Sequence, residues 1–248
     1  MNQTDRVRAV ILTTQRTGST FLVECLNSHP EIECAGEILI GVPEAPRGPR
    51  YRGRFQALYK LWNIAKTGAW LSANRLERFY SGGSARVRVF KAMYNQLAYP
   101  FTLRYLRAHE EIRIIHLRRE NLLKVHVSRL LMPERKQLQA TLPVERVWIR
   151  VDPAEAIAAM RQAHRRHEHF ANLFEGHARL SISYEKLIDG AYLQTDTARR
   201  IFDFLGVAQH PMKSKLVKIN PESLHDMVTN YEELAAAVSQ TEFAGLLA

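Results

Sequence analysis

Residues 7–22 read VRAVILTTQRTGSTFL, and this stretch decides the fold. Its first part, Val7–Thr14, is rich in apolar and β-branched residues, which is typical of a buried strand. A turn with a single glycine, Gly18, and several hydroxyl side chains follows, and the apolar spacing of a helix starts at Phe21. A strand that passes through a tight turn into a helix is the first half of a βαβ unit.

The rest of the chain repeats this alternation of strand and helix. Further strand-like segments are Val87–Met93, Ile112–Leu117 and Leu180–Tyr184. Helical patterns cover Phe55–Phe79, Asn121–Leu131, a segment that Pro153 opens, and Tyr192–Leu205. Strands separated by helices predict an α/β fold with a central, mostly parallel sheet flanked by helices. The Pro-, Gly- and Arg-rich residues 41–54 are expected to form a mobile loop within a single domain that spans residues 1–248.

Length and composition limit the class of protein. The 248 residues are 46% hydrophobic and 24% charged, which suits one domain with a substantial core and excludes disorder and coiled coil. The apolar runs are shorter than the roughly 18 residues of a membrane span, so we expect no stable membrane insertion. Two cysteines, Cys25 and Cys34, cannot build a disulfide framework, and this favours a reducing, cytoplasmic location.

The net charge of +10 predicts an anionic ligand. Nucleic acid, an acidic membrane surface and a polyphosphorylated small molecule all fit that charge, and a merely solvated basic surface fits it as well.

The turn before Phe21 has the composition of an anion-binding site. Backbone N–H groups at a helix start point outward with the positive end of the dipole, and Ser19 and Thr20 add hydroxyl donors. Simple capping of the helix would explain the hydroxyls, but it would not explain Arg16 at the tip of a buried strand. The turn has one glycine and no lysine, so it is not a Walker A loop, and a dinucleotide-binding GxGxxG is absent as well.

The segment QRTGSTFL, residues 15–22, resembles the 5′-phosphosulfate-binding loop of sulfotransferases, which use 3′-phosphoadenosine-5′-phosphosulfate (PAPS). That loop has a basic residue, Ser or Thr, Gly and two further Ser or Thr after a strand. The residues that match it are Arg16, Thr17, Gly18, Ser19 and Thr20. Arginine at the first position is similar to the bacterial carbohydrate-type branch, including the trehalose-type enzymes. The resemblance implies a sulfotransferase fold related to that of P-loop NTPases.

A second match lies at residues 115–123, IHLRRENLL, and extends to Ser128. In the family, an arginine at a strand end and a serine on the next helix contact the 3′-phosphate of PAPS. Arg119 precedes Ser128 by nine positions and Arg118 by ten, so either arginine fits. We favour Arg119, because the run Arg-Glu-Asn-Leu-Leu resembles the bacterial branch. A basic, solvated helix start is the simpler alternative.

The proton acceptor is less obvious. Lys91 lies in an apolar strand, where an ammonium group needs an anionic partner. Cytosolic sulfotransferases carry Lys-x-His there, with the histidine as general base, but this chain has Met93 at that position. The carbohydrate-type branch implies Glu37 as the base instead, and apolar neighbours favour a partly desolvated carboxylate. His29, His116 and Glu24 remain alternatives.

The C-terminal part carries a weaker resemblance. Residues 183–187, SYEKL, are similar to the family's Tyr-Glu-Asp-Leu strand end, which implies that Tyr184 lies near the adenine. Residues 230–234, NYEEL, resemble a closing helix, and Lys213, Lys215 or Lys218 is expected to close over the nucleotide. Two other clusters have simpler explanations. His164 and His167 have metal-ligand spacing but fit a basic, solvated face with one histidine at the core edge, and the aromatic residues of the Phe55–Phe79 segment fit core packing better than a sugar platform.

These matches imply transfer of the sulfuryl group of PAPS to a hydroxyl of a carbohydrate, glycolipid or other small-molecule acceptor, releasing adenosine 3′,5′-bisphosphate. Glu37 would accept the acceptor's proton, and Arg16 and Lys91 would stabilise the leaving group, so no metal is required. Nucleic acid is not expected as a partner, and the sequence leaves the oligomeric state open. A kinase-like, nucleotide-dependent phosphotransferase and a non-catalytic basic nucleic-acid-binding protein are the alternatives.

Overall fold

The central sheet has five parallel strands in the order β2-β3-β1-β4-β5. The computed structural model describes residues 6–39, 69–98, 100–134, 147–216 and 223–247. The strands are β1 (Val7–Thr13), β2 (Ile32–Ala35), β3 (Val87–Met93), β4 (Arg113–Arg118) and β5 (Arg179–Ser183), and a hairpin pairs β6 (Ile188–Asp189) with β7 (Tyr192–Leu193). The predicted α/β fold with a parallel central sheet is confirmed.

Helices cover both faces of the sheet. They are α1 (Ser19–Asn27), α2 (Ala69–Ser81), α3 (Pro100–Ala108), α4 (Leu122–Glu134), α5 (Pro153–Asn172), α6 (Thr195–Leu205) and α7 (Tyr231–Ser239). One apolar cluster joins α1 and α6 to one face, and a second joins α2, α3 and the end of α5 to the other face. A third cluster packs α4 against α5 and α7. Within the described ranges, no helix is long and apolar enough to cross a bilayer.

Strand order places β1 at the centre of the sheet. Residues 9–12 of β1 are at most 1% exposed, because β3 and β4 flank them and helices cover both faces. The chain leaves β1 toward one side of the sheet for β2 and β3 and later crosses to the other side for β4. Open α/β sheets bind ligands at such a switch point, outside the carboxyl ends of the strands. The loop after β1 lies there.

One strand was missed, and one helix was predicted to start too early. Strand β2 was not predicted, because its four residues include Glu33, which pairs with Arg88 of β3 at an N–O distance of 2.6 Å. The helix predicted over Tyr192–Leu205 begins only at Thr195, because Tyr192 and Leu193 form β7 and the side chain of Gln194 caps α6 through the Thr197 N–H. Residues 41–54, residues 55–68 of the predicted long helix, and Lys218 lie outside the described residues.

Candidate functional site

The loop after β1 makes a turn that requires its glycine. Gly18 has a φ of +74°, and a Cβ atom at this position would lie 2.6 Å from the Tyr184 ring. Arg16 also adopts a positive φ, +65°, which a residue with a side chain rarely does outside functional loops. Gly18 is the N-cap residue of α1 and has no side chain to cap that helix, so the first N–H groups of α1 border the loop.

Thr17 fixes the loop to the sheet. Its side chain is fully buried, and its hydroxyl oxygen lies 2.6 Å from that of Thr13. The Thr13 hydroxyl donates to the Leu117 carbonyl oxygen at 2.9 Å, so the loop is tied to the end of β4. The hydroxyl of Thr17 thus has a structural role, and only its backbone N–H is left for a ligand. Ser19 is buried as well, whereas Thr20 is partly exposed at the start of α1.

Arg16, Arg119 and Ser128 meet at this loop. The Arg16 Nε donates to the Ser128 hydroxyl at 2.9 Å, and an Arg119 Nη donates to the Arg16 carbonyl at 3.3 Å. Ser128 lies on α4 and is 2% exposed, while Arg119 directly follows β4. Hydrogen bonds therefore link Arg16, Arg119 and Ser128, from three parts of the chain, at the carboxyl edge of the sheet.

Arg119 is held in place from one side. Its guanidinium carbon lies 4.5 Å from the centre of the Tyr184 ring, and its Nε is 4.0 Å from the Glu185 carboxylate. Burial lowers the pKa of Arg119, although a guanidinium still remains charged at neutral pH. Within the described part of the chain, the buried Nε of Arg119 has no hydrogen-bond partner. A buried donor of this kind is suited to receive an anionic ligand.

Arg118 occupies a different environment from Arg119. Successive residues of a strand point to opposite faces, and Arg118 acts electrostatically on Tyr94, His116 and His167. The structure therefore brings Arg119, and not Arg118, to Arg16 and Ser128.

Lys91 and Glu37 form an ion pair at the end of β3. The ammonium nitrogen is 3.1 Å from Glu37 Oε1, and the Lys91 side chain is only 8% exposed. Gln96 donates to the other carboxylate oxygen of Glu37 at 2.7 Å and accepts from the Met93 N–H at 3.0 Å. The Glu37 side chain is 23% exposed, and its carboxylate is paired with a cation and an amide. Gln96 fixes which way it faces.

The three alternatives to Glu37 lie elsewhere or are already bonded. His29 uses both ring nitrogens, one with the Ala208 carbonyl at 2.9 Å and one with the Glu31 N–H at 3.1 Å. Glu24 accepts from the Ser214 hydroxyl and from the backbone N–H of Lys215. His116 is buried against the Tyr94 hydroxyl, 2.5 Å away, and burial lowers its pKa to about 3.

Two residues of the site were not identified from the sequence. Arg129 donates to the Thr14 hydroxyl at 2.9 Å beside the loop, and its position directly after Ser128 was a usable signal. Gln96 reaches Glu37 only because a short 3₁₀ turn, Gln96–Ala98, follows β3, and nothing in the local sequence indicates this contact.

The remaining candidates are separate from this site. The backbone N–H of Lys213 donates to Ser28, beside the end of α1. His164 lies 3.3 Å from Glu168 on the exposed face of α5, whereas His167 is buried, as predicted for a histidine at the core edge. Phe79 packs against the core. The described residues contain no cluster of three or more possible metal-ligating side chains.

Comparisons with known proteins bear on the family and the fold. The model of the Sulfotransferase family matches residues 9–211. A solved sulfotransferase from Alicyclobacillus acidocaldarius is similar in fold, with a TM-score of 0.53, 18% sequence identity, and coverage of 98% of this chain and 96% of that chain. The sulfotransferase STF9 from Mycobacterium avium has a TM-score of 0.44 and 13% identity over 95% of this chain and 76% of that chain. No curated protein matches the sequence. Because the family model covers most of the chain, the protein belongs to the Sulfotransferase family.

Proposed function

We propose that the protein transfers the sulfuryl group of PAPS to a hydroxyl of a carbohydrate, glycolipid or other small-molecule acceptor. The observation that carries this proposal is the convergence of Arg16, Arg119 and Ser128 beside the start of α1. PAPS has a phosphate at each end of its ribose, and a helix start next to a buried arginine and hydroxyl offers a partner for each.

In this proposal, the backbone N–H groups of residues 17–20 hold the 5′-phosphosulfate, with Arg16 supplying the charge. Arg119 and Ser128 bind the 3′-phosphate. The Nε of Arg119, which has no hydrogen-bond partner among the described residues, supports this assignment, because a 3′-phosphate oxygen would satisfy it. Tyr184 packs against Gly18 and Arg119 and would border the adenine. Lys218 is proposed to close over the nucleotide.

The chemical step is an in-line displacement at sulfur. A bond forms between the acceptor oxygen and sulfur while the bond from sulfur to the bridging phosphate oxygen breaks, and adenosine 3′,5′-bisphosphate leaves. Glu37 takes the acceptor's hydroxyl proton. Lys91 and Arg16 offset the negative charge that grows on the bridging oxygen. Such group transfers have loose transition states, so the protein contributes mainly position and charge.

Gln96 is proposed as a positioning residue for this step. Its amide holds one oxygen of Glu37 and its carbonyl holds the backbone at Met93. Lys91 holds the other carboxylate oxygen. Glu37 thus has one fixed orientation at the end of β3.

The proposal predicts that Glu37→Gln lowers kcat for sulfuryl transfer from ³⁵S-labelled PAPS by roughly 10²- to 10³-fold. The affinity for adenosine 3′,5′-bisphosphate should stay within about threefold of wild type, because Glu37 does not contact the nucleotide. Transfer is measured against a panel of neutral and charged sugars, with Glu175→Gln, on the surface after α5, as the matched control.

Full activity of Glu37→Gln would contradict the assignment of the base. Transfer from Mg²⁺–ATP in place of PAPS would favour the kinase-like alternative. Nucleic-acid binding that weakens steeply with salt, without any sulfuryl transfer, would favour the non-catalytic, nucleic-acid-binding alternative.

A further inference from the structure

A second polar cluster lies on the sheet face opposite α1, where α5 covers the ends of β3 and β4. The Tyr94 hydroxyl is 2.5 Å from His116 Nε2, and the Tyr94 ring packs edge-on against His167 with a centroid distance of 5.8 Å. These side chains are at most 7% exposed. The proposed sulfuryl transfer uses none of them.

Three arginines come from the elements that meet at this buried floor. Arg118 comes from the end of β4, Arg129 from α4 and Arg166 from α5. All three act electrostatically on His167, and both Arg118 and Arg166 act on Tyr94. Arg118 and Arg129 are half-buried, and Arg166 lies at the exposed rim. Among the described residues, no carboxylate forms an ion pair with any of the three.

The buried floor also has unused hydrogen-bonding atoms. His167 Nε2 and Arg129 Nε are buried, and neither has a hydrogen-bond partner in the described ranges. The His167 side chain is more than nine-tenths buried. Burial, reinforced by Arg118, lowers the pKa of His116 to about 3, and burial with the same arginine lowers that of His167 to about 4. Both rings are therefore neutral at pH 7, and the charge of the cluster is that of its arginines.

The cluster adjoins both the segment that positions Glu37 and the loop after β1. Tyr94 directly follows Met93, whose N–H is held by the same Gln96 that orients Glu37. Arg129 donates to Thr14, the residue that directly follows the central strand. Arg119, by contrast, faces Tyr184. An anion among these arginines would lie beside the loop after β1 and next to the Met93–Gln96 segment that orients Glu37, and an acceptor must approach Glu37.

We infer that Arg118, Arg129 and Arg166 form a second anion subsite, and that the acceptor of sulfuryl transfer carries a phosphate or carboxylate group that binds there. This inference rests on the proposed function for the role of the ligand as acceptor. Guanidinium groups bind such oxyanions through paired hydrogen bonds, and three of them that form no ion pair within the described residues favour an anion over a neutral group. His167 Nε2 gives the floor one further polar contact.

The test measures anion binding to the protein saturated with adenosine 3′,5′-bisphosphate, so that the donor site is filled. Inorganic phosphate, acetate and neutral glucose are titrated at low ionic strength while the melting temperature is followed. The variant is Arg166→Ala, at the exposed rim, and the matched control is Arg165→Ala, the exposed neighbour on the same helix. Arg118→Gln repeats the test from the sheet side.

We expect phosphate or acetate, but not glucose, to raise the melting temperature of wild type and of Arg165→Ala. The apparent Kd should rise about tenfold in Arg166→Ala and Arg118→Gln, the effect of one lost charge-assisted hydrogen bond. An effect of phosphate alone indicates an acceptor with a phosphate group, and an effect of acetate alone indicates one with a carboxylate. No anion effect in wild type, or an equal effect in Arg165→Ala and Arg166→Ala, would overturn the inference. If adenosine 3′,5′-bisphosphate does not bind, the proposed function fails. The anion subsite is then tested separately, by whether Arg166→Ala weakens the binding of inorganic phosphate.

Discussion

Gly18 couples the loop after β1 to the rest of the candidate site. Its positive φ turns the chain from β1 into α1, and the missing side chain leaves room for the Tyr184 ring. That ring in turn lies against Arg119. One residue without a Cβ therefore sets the position of the loop, of Tyr184 and of the arginine proposed to bind the 3′-phosphate.

Gly18→Ala should lower the free energy of unfolding by about 2 kcal/mol or more, because the new Cβ adds left-handed strain and a clash with Tyr184. Urea denaturation checks this result. The matched control is Gly245→Ala, where a Cβ meets nothing within 4 Å, and it should change stability by less than about 0.5 kcal/mol. A Gly18→Ala protein as stable as the control would contradict the account of the loop.

The candidate site residues that could be proposed from the sequence are those whose neighbours along the chain already suggest a role. The order of a buried strand, Arg16, a glycine and hydroxyls indicates an anion loop before any fold is known. The contacts of Gln96 and Arg129 depend on which strands and helices become neighbours, and no spacing in the sequence encodes that. Spacing alone fitted both Arg118 and Arg119, and only the family resemblance favoured Arg119, whereas strand alternation points the two side chains to opposite faces.

At the scale of elements, Glu185 joins two parts of the proposed 3′-phosphate site. It lies in the 3₁₀ turn Tyr184–Lys186 and accepts from the backbone N–H groups of Glu120 and Asn121 at 3.0 and 3.1 Å, just before α4. Burial alone would raise the pKa of Glu185, but these hydrogen bonds, with one from Ser183, lower it below its ordinary value. The turn that carries Tyr184 is thereby fixed to the helix that carries Ser128.

Glu185→Gln should lower the melting temperature by about 2–4 °C at pH 7, the effect of losing about 1 kcal/mol at a helix start. A depressed carboxyl pKa stabilises the fold above its unfolded value of 4.5 and ceases to do so as pH falls through the folded value. The difference between the two proteins should therefore shrink as the pH falls below 4.5. Melting curves from pH 7 to pH 4 measure it, and a difference that stays constant with pH would argue against the carboxylate as the cause.

The elements that sequence analysis missed are short or depend on tertiary pairing. Strand β2 has four residues at the edge of the sheet. It is stabilised by its pairing with β3 and by the ion pair between Glu33 and Arg88. Strand β7 has two residues, which pair with β6 on one side and with the segment around Lys213 on the other. The long strands and α5, with Asp152 as N-cap and Pro153 in the first turn, carry their own signals and were predictable.

For the molecule as a whole, we expect two buried histidines to lower the stability of the fold at acidic pH. His116 and His167 have folded pKa values of about 3 and about 4, lowered mainly by burial, against 6.5 in the unfolded chain. As pH falls below 6.5, the unfolded state binds these protons first, so the native state loses stability until the pH reaches the folded values. Each proton contributes roughly 1.4 kcal/mol per pH unit.

Between pH 6.5 and pH 4.5 the wild-type protein should lose unfolding free energy as the pH falls. His167→Gln should lose less, by the contribution of the one proton that His167 no longer binds in the unfolded state. Urea denaturation at pH 7, 6 and 5 gives the slope. His169→Gln, on the exposed side of α5, should keep the wild-type slope. If His167→Gln and His169→Gln lose stability equally with acid, the histidine cluster does not control the response.

The central claim is that Arg119 and Ser128 recognise a 3′-phosphate next to the loop that holds the 5′-phosphate. Calorimetric titration of wild type and Arg119→Ala with adenosine 3′,5′-bisphosphate and with AMP tests it most directly, with Arg199→Ala on α6 as the surface control. The account predicts that wild type and Arg199→Ala bind the bisphosphate at least about tenfold more tightly than AMP, and that Arg119→Ala loses most of this preference. Equal affinities for the two nucleotides in wild type would contradict it.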